Sequence, residues 1–167
     1  MAKSSNSREP QGSIVWTEAM SVGVPELDED HKGLIQVINL LEAHAGSEAS
    51  ADIVRQCMVS LMRYAQVHFG REERVMTVCT FPGLAHHQEE HRAFVSRMKE
   101  IEKRFADDPD GLTAYVTEEL IDYLSNWLRH HILIEDMAYR SFAAHRLAEA
   151  REAARSFRTS QVWFSDT

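Results

Sequence analysis

The stretch LAHHQEEHRAFVSRMKEIEKRF, residues 84–105, carries the clearest periodic pattern in the chain. Apolar side chains and histidines recur in it at steps of three and four, which is the spacing of one face of an α-helix. That face consists of Leu84, His87, His91, Phe94, Met98, Ile101 and Phe105. The pattern predicts an amphipathic helix that turns two histidines toward the protein core.

Three further segments share this periodicity and are predicted to be helices at about residues 28–45, 47–78 and 112–142. Short turns rich in Gly, Pro or Asp separate the four segments, and no strand pattern competes. The inner face of the fourth helix is read as Val116, Leu120, Leu124, Trp127, His131, Ile134, Ala138 and Phe142. The sequence therefore predicts an all-α fold, an antiparallel up-down-up-down four-helix bundle.

The bundle is expected to lie between two segments of different character. The polar N-terminus has too few apolar side chains to fold and is predicted to be disordered. The C-terminal extension begins as an Ala-, Glu- and Arg-rich helical segment and ends with the adjacent aromatics Trp163 and Phe164, which could dock on the bundle or bind a partner. The expected divisions are residues 1–13, an N-terminal arm and bundle at 14–142, and the extension at 143–167.

Length and charge narrow the classes of function. A chain of 167 residues can form one domain with a real core, and its net charge of −8 argues against nucleic acids and anionic membranes as partners. No apolar run approaches the roughly 20 residues of a membrane span, and the N-terminus lacks the apolar region of a secretory signal. We therefore expect a cytoplasmic protein whose cysteines, Cys57 and Cys79, are free thiols.

Histidines and carboxylates fall on the inner faces of all four predicted helices. A core does not accept five imidazoles and two carboxylates unless something pairs with them, and a pair of metal ions is the simplest partner. One His-x-x-x-His pair alone would be compatible with incidental surface histidines. The candidate metal ligands are His31, His68, Glu72, His87, His91, His131 and Asp136. Seven such ligands are too many for one tetrahedral zinc ion and suit two metals bridged by carboxylates.

The spacing of His131 and Asp136 departs from a regular helix. The two residues are five apart, which on an ideal helix separates them by about 140°. Glu135 is better spaced for a shared ligand site. A local π-bulge would bring Asp136 back into line with His131, and such bulges occur frequently at functional sites. The spacing alone leaves both carboxylates open.

Four ordered motifs resemble the hemerythrin family, specifically its bacterial hemerythrin-like domains. They are VPELDEDHKGLIQVIN (24–39), HFGREERVM (68–76), HHQEEHRAF (86–94) and WLRHHILIEDMAY (127–139). The resemblance implies a non-haem di-iron centre, with an oxo or hydroxo bridge between two iron ions, that binds dioxygen reversibly. It also favours Asp136 over Glu135 as the ligand from the fourth helix.

The resemblance implies a role for each candidate ligand. His87, His91 and His131 would hold one iron ion. His31 and His68 would hold the other, leaving a coordination position open for dioxygen. Glu72 and Asp136 would bridge the two ions.

Several neighbours of these ligands have expected roles of their own. Apolar side chains beside the ligands could form a dry wall around bound dioxygen, although plain core packing explains each of them equally well. The candidates for this wall are Leu34, Phe69, Trp127, Leu128 and Ile134. His86 and His130 are expected at the surface, and Glu73 on a solvated face.

The resemblance favours an oxygen carrier, storage or delivery protein rather than an enzyme. Its partners would be dioxygen and an oxygen-using enzyme. An alternative is an oxygen, redox or nitric-oxide sensor that signals to a partner protein through the C-terminal tail. A di-iron peroxidase or oxidase is the least favoured candidate. Such an enzyme needs a proton donor at the open iron position, and the motifs contain no obvious one.

Overall fold

The computed structural model describes residues 13–44, 50–107 and 113–157, and within these ranges the chain is helical with no strand. A short 3-10 helix, Glu18–Met20, precedes six α-helices and one π-helical turn. The helices are α1 (Pro25–Ala43), α2 (Ser50–Val78), α3 (Leu84–Asp107), α4 (Thr113–His130), α5 (Met137–His145) and α6 (Leu147–Ser156). The π turn, His131–Glu135, joins α4 to α5. The predicted all-α bundle with an N-terminal arm and a helical extension is confirmed.

The arm before α1 is fastened to the first turn of that helix. Asp28 accepts hydrogen bonds from the Val22 backbone NH at 2.9 Å and from the Ser21 hydroxyl at 2.7 Å. Pro25 opens the helix with its φ angle already fixed, and the acidic side chains of Glu26 and Asp28 lie in the first turn. This start is three residues earlier than the sequence predicted.

The main core lies between the four long helices. Side chains from all four are almost fully buried there, and they include Leu34, Phe69, Phe94, Met98 and Leu124. The apolar faces predicted from the three-four spacing are therefore the faces that pack together, apart from the segment after His131. Cys57 and Cys79 are buried free thiols.

The π turn shifts the inner face of the fourth helix by one residue. The Asp136 backbone NH bonds to the His131 carbonyl at 2.9 Å, a bond across five residues that widens the helix. Beyond it, Tyr139 and Ala143 are fully buried, whereas the predicted inner residue Ala138 is exposed. Ile134, expected to wall the site, is 58% exposed. That expectation was wrong because it continued regular helical spacing through the π turn.

The C-terminal extension packs on the bundle as helix α6. Its buried alanines, Ala150, Ala153 and Ala154, join a second core with side chains from α1, α2 and α5. Arg155 adds an ion pair at 2.7 Å to Glu26 of α1. The N-terminal residues 1–12 and the predicted tail with Trp163 and Phe164 lie outside the described residues. No helix in the described ranges is long and apolar enough to cross a membrane.

Candidate metal centre

All seven predicted ligands converge at one buried place between the helices. None of them is more than 2% exposed. His31 comes from α1, and His68 and Glu72 come from α2. His87 and His91 come from α3, whereas His131 begins the π turn and Asp136 follows it. Regular spacing of four residues within α2 and α3 puts both members of each pair on the inner face.

Glu72 lies at the middle of the cluster. Its Oε2 atom is 3.1 Å from His91 Nε2 and 3.2 Å from His87 Nε2. The Nε2 atoms of His68 and His131 each lie 3.7 Å from the same oxygen. One carboxylate therefore reaches histidines of α2, α3 and the π turn.

The two oxygens of Asp136 lie near histidines of both predicted iron sites. Oδ1 is 3.1 Å from His131 Nε2 and 3.4 Å from His87 Nε2, while Oδ2 is 3.1 Å from His31 Nε2. The π turn makes this possible, because it brings Asp136 onto the inner face and leaves Glu135 outside. Glu135 instead lies beside the exposed His130, at 3.2 Å.

The buried polar atoms of the cluster fit a pair of bound cations. Both ring nitrogens of His31, Nε2 of His68 and both oxygens of Asp136 have no hydrogen-bond partner among the described residues. Such buried atoms are costly unless something binds them. Two groups of converging ligand atoms share one carboxylate: Glu72, His87, His91 and His131; and His31, His68 and Glu72. Their mix of imidazole and carboxylate suits iron among other transition metals. The ligand assignment itself stays a prediction.

The pKa values of Glu72 and Asp136 are shifted in opposite directions. Burial by itself would raise the pKa of Glu72, but the surrounding histidines outweigh it and hold that pKa well below its usual range. For Asp136, burial and the nearby charge of Glu72 raise the pKa to about 7. Two negative charges close together in a buried site repel each other, and a divalent cation between them would offset this repulsion.

Two carboxylates behind the cluster orient its histidines. Glu73, expected on a solvated face, lies 2.8 Å from His91 Nδ1 and accepts a 3.0 Å hydrogen bond from Gln88. Asp30 lies 3.5 Å from His68 Nδ1 and is held by Arg71. A carboxylate on the far nitrogen of a histidine fixes the ring and leaves Nε2 pointing inward. Sequence reasoning missed both roles. The available signal was that Asp30 is adjacent to the predicted ligand His31 and Glu73 to the predicted ligand Glu72.

A buried tyrosine, also missed from the sequence, completes the surroundings of Glu72. The Tyr139 hydroxyl donates a 2.6 Å hydrogen bond to Glu72 Oε1, the oxygen turned away from His87 and His91. Burial and the neighbouring carboxylates raise the pKa of Tyr139 well above its usual value, so the phenol stays protonated. It is thus a permanent donor to a buried carboxylate.

Aromatic rings cover one side of the cluster. Phe69 stacks on His91 with ring centroids 3.8 Å apart, and Trp127 stacks on His131 at 4.3 Å. Leu34 and Leu128 are also buried, each 2% exposed. Of these four expected wall residues, three are buried in the core and Trp127 is half-buried against it, as plain packing also requires. The remaining neighbours His86 and His130 are exposed, as expected.

This chain is similar to several known proteins. The chain is 31% identical to a bacteriohemerythrin of Pseudomonas paraeruginosa over 137 residues, 81% of this chain and 85% of that protein. It is 31% identical to a bacteriohemerythrin of Stenotrophomonas maltophilia, covering 83% and 88% of the two chains. A crystal structure of wild-type hemerythrin has the same fold, with a TM-score of 0.68, 24% identity, and coverage of 78% of this chain and 97% of that one.

The family model described as the hemerythrin HHE cation binding domain matches residues 22–143, which span α1 to α5 and include every candidate ligand. The match covers most of the chain and ends before α6. This chain belongs to the hemerythrin family.

Proposed function

We propose that this protein binds dioxygen reversibly at a non-haem di-iron centre. The observation that carries the proposal is the convergence of five buried histidines on two buried carboxylates, in which buried atoms of His31, His68 and Asp136 have no hydrogen-bond partner among the described residues. Membership of the hemerythrin family supports iron as the metal and dioxygen as the ligand.

Each side of the centre has its own set of histidines. His87, His91 and His131 would hold one iron ion, and His31 with His68 would hold the other. Glu72 and Asp136 would span both. When bound, the iron pair would supply electrons to dioxygen and take them back on release. With only two histidines, His31 and His68, the second site would offer fewer protein ligands, and dioxygen would bind on that side.

The surrounding side chains would keep this chemistry reversible. Leu34, Phe69, Trp127 and Leu128 make a water-poor lining, and excluding water slows side reactions of a reduced oxygen species. Glu73 and Asp30 hold the rings of His91 and His68 from behind. Tyr139 holds Glu72 by its outer oxygen, so the carboxylate keeps one orientation.

Anaerobic reduction followed by cycles of air and deoxygenation tests the proposal. The iron-loaded protein should gain a visible charge-transfer band in air and lose it on deoxygenation, over several cycles. His130→Ala, on the surface, is the matched control for His131→Ala, and only the second should abolish the band. Immediate oxidation with no reversible band would instead favour a redox sensor, and rapid consumption of peroxide would favour a peroxidase.

A further inference from the structure

A groove of about 520 Å³ runs along the outer side of α2, beside α1. Val59 and Val67 supply its apolar lining, Ser60 and Tyr64 supply hydroxyl groups, and Arg63 supplies a positive charge. Val59 is 51% exposed, so half of this apolar side chain faces open space. The groove thus combines exposed apolar surface with the exposed Arg63 and with the Asp30–Arg71 ion pair, which also lines it.

The end of helix α6 is directed toward this groove. Near the start of α6, Arg146 donates a hydrogen bond to the Val78 carbonyl at the end of α2. After α6, the ring of Phe157 packs so closely on Gly70 that a Cβ at this position would clash with the ring. The chain from 146 to 157 therefore travels backward along α2, from residue 78 to residue 70.

The surface that Phe157 contacts and the groove lie on the same face of α2. Gly70, Val67, Arg63 and Ser60 follow one another at steps of three, four and three, which is the spacing of neighbours on a helix surface. A chain that leaves Gly70 and keeps its direction therefore meets Val67 first and then Arg63.

We propose that residues 158–167 of the same chain occupy this groove. The segment reads RTSQVWFSDT and carries the adjacent aromatics Trp163 and Phe164 followed by Asp166. The two aromatics would cover the exposed Val59 and the half-buried Val67, and a tryptophan beside Arg63 would add a cation–π contact. Asp166 carries the charge opposite to that of Arg63.

The reach of the segment is sufficient. From Gly70 to Val59 the helix rises about 16 Å, at about 1.5 Å per residue. The six residues from Phe157 to Trp163 span about 20 Å when extended. Trp163 can therefore reach any part of the groove. Docked there, it would also cover Asp30 and Arg71, which line the groove behind His68.

Disulfide trapping in the full-length, metal-loaded chain tests this placement. Ser165→Cys keeps both aromatics, and it is combined with Val59→Cys in the groove. The matched control combines Ser165→Cys with Leu147→Cys, a similarly exposed apolar site at the start of α6, 42% exposed against 51%. Oxidised glutathione serves as the oxidant, and peptide mass analysis identifies the bridge and separates it from Cys57 and Cys79.

The proposal predicts an intramolecular bridge that forms roughly tenfold faster from the groove position than from the control position, because docking raises the effective concentration. Adding Trp163→Ala and Phe164→Ala should slow it to the control rate. Equal rates at the two positions, or a groove rate indifferent to loss of the aromatics, would overturn the proposal. A bridge between two chains would overturn it as well, and would make a second copy the occupant.

Discussion

The Tyr139 hydroxyl donates a 2.6 Å hydrogen bond to Glu72 Oε1, and both side chains are fully buried. The bond joins α5 to α2 across the candidate metal centre. It exists because the π turn moves the inner face by one residue, so that Asp136 and Tyr139 point inward together. The same distortion thus delivers one ligand to the centre and the support for another.

Replacing Tyr139 by Phe should destabilise the metal-free protein by about 1.5 to 3 kcal/mol, the usual worth of a hydrogen bond to a charged group. The loss leaves Glu72 Oε1 buried without its donor. Urea unfolding measures the change. Tyr123→Phe is the control, because Tyr123 is half-buried against Phe94 and contacts no candidate ligand. Equal losses in the two variants would remove any special role for the Tyr139 bond.

The π turn predicts which acidic residue matters for metal binding. Asp136→Asn should lower the iron content of the purified protein, because its oxygens face histidines of both groups. Glu135→Gln should keep the full content, because Glu135 lies outside beside His130. Metal analysis of both variants checks this. Loss of iron from Glu135→Gln alone would mean that the helix keeps regular spacing in solution.

Asp30 should contribute stability that depends on pH. Burial alone would raise its pKa, but the contacts with His68 and Arg71 outweigh burial and lower the pKa below its ordinary value of 3.8. A carboxyl group with a lowered folded-state pKa stabilises the fold above its unfolded-state value, and this stability is lost as pH falls through the folded-state value. Asp30→Asn should therefore cost most at pH 7 and progressively less below about pH 4.

Urea unfolding of the metal-free protein at several pH values measures this difference. Asp52→Asn is the control, because Asp52 pairs with Arg55 at the surface, where such pairs are worth about 0 to 1 kcal/mol. A cost of Asp30→Asn that stays constant from pH 7 to pH 3 would show that the charge of Asp30 does not stabilise the fold.

Gly70 should be replaceable only when Phe157 is gone. In the native chain, Gly70→Ala places a methyl group in a steric clash with the Phe157 ring, so the ring must move. In the Phe157→Ala background the same change should stabilise by up to about 1 kcal/mol, since Ala is a better helix former than Gly. A double-mutant cycle by thermal or urea unfolding measures the coupling. Additive effects would show that Phe157 does not pack on Gly70 in solution.

Much of the fold and of the candidate centre follows from the sequence. The spacing of Leu84, His87 and His91 predicts α3, and each candidate ligand except Asp136 lies on the inner face where periodicity puts it. The five-residue gap from His131 to Asp136 is the exception, because the spacing alone leaves Glu135 and Asp136 both open and only the resemblance to the hemerythrin family favours Asp136. The other ligands share a regular face with the apolar side chains of their own helix. Local pattern is sufficient here, since one helix decides which side chains share a face.

The partners of these ligands depend on contacts between helices, which periodicity does not encode. The Glu72–Tyr139 bond joins positions 67 residues apart. The burial of Tyr139 also required the register shift of the π turn to be carried forward through α5, and regular spacing placed Ile134 inside instead. Asp30 and Glu73 look like surface residues because each is adjacent to an inward-facing one. Their roles become visible only when His68 and His91 are in place.

Anaerobic titration of ferrous iron into the metal-free protein, followed calorimetrically, tests the central claim most directly. The account predicts that two ions bind per chain and that His91→Ala and His131→Ala weaken binding at the site to which His87 also belongs. The exposed control His86→Ala should leave the number of ions and both affinities unchanged. Binding of a single ion, or of two ions with affinities indifferent to His91→Ala and His131→Ala, would contradict a centre built from these buried histidines and carboxylates.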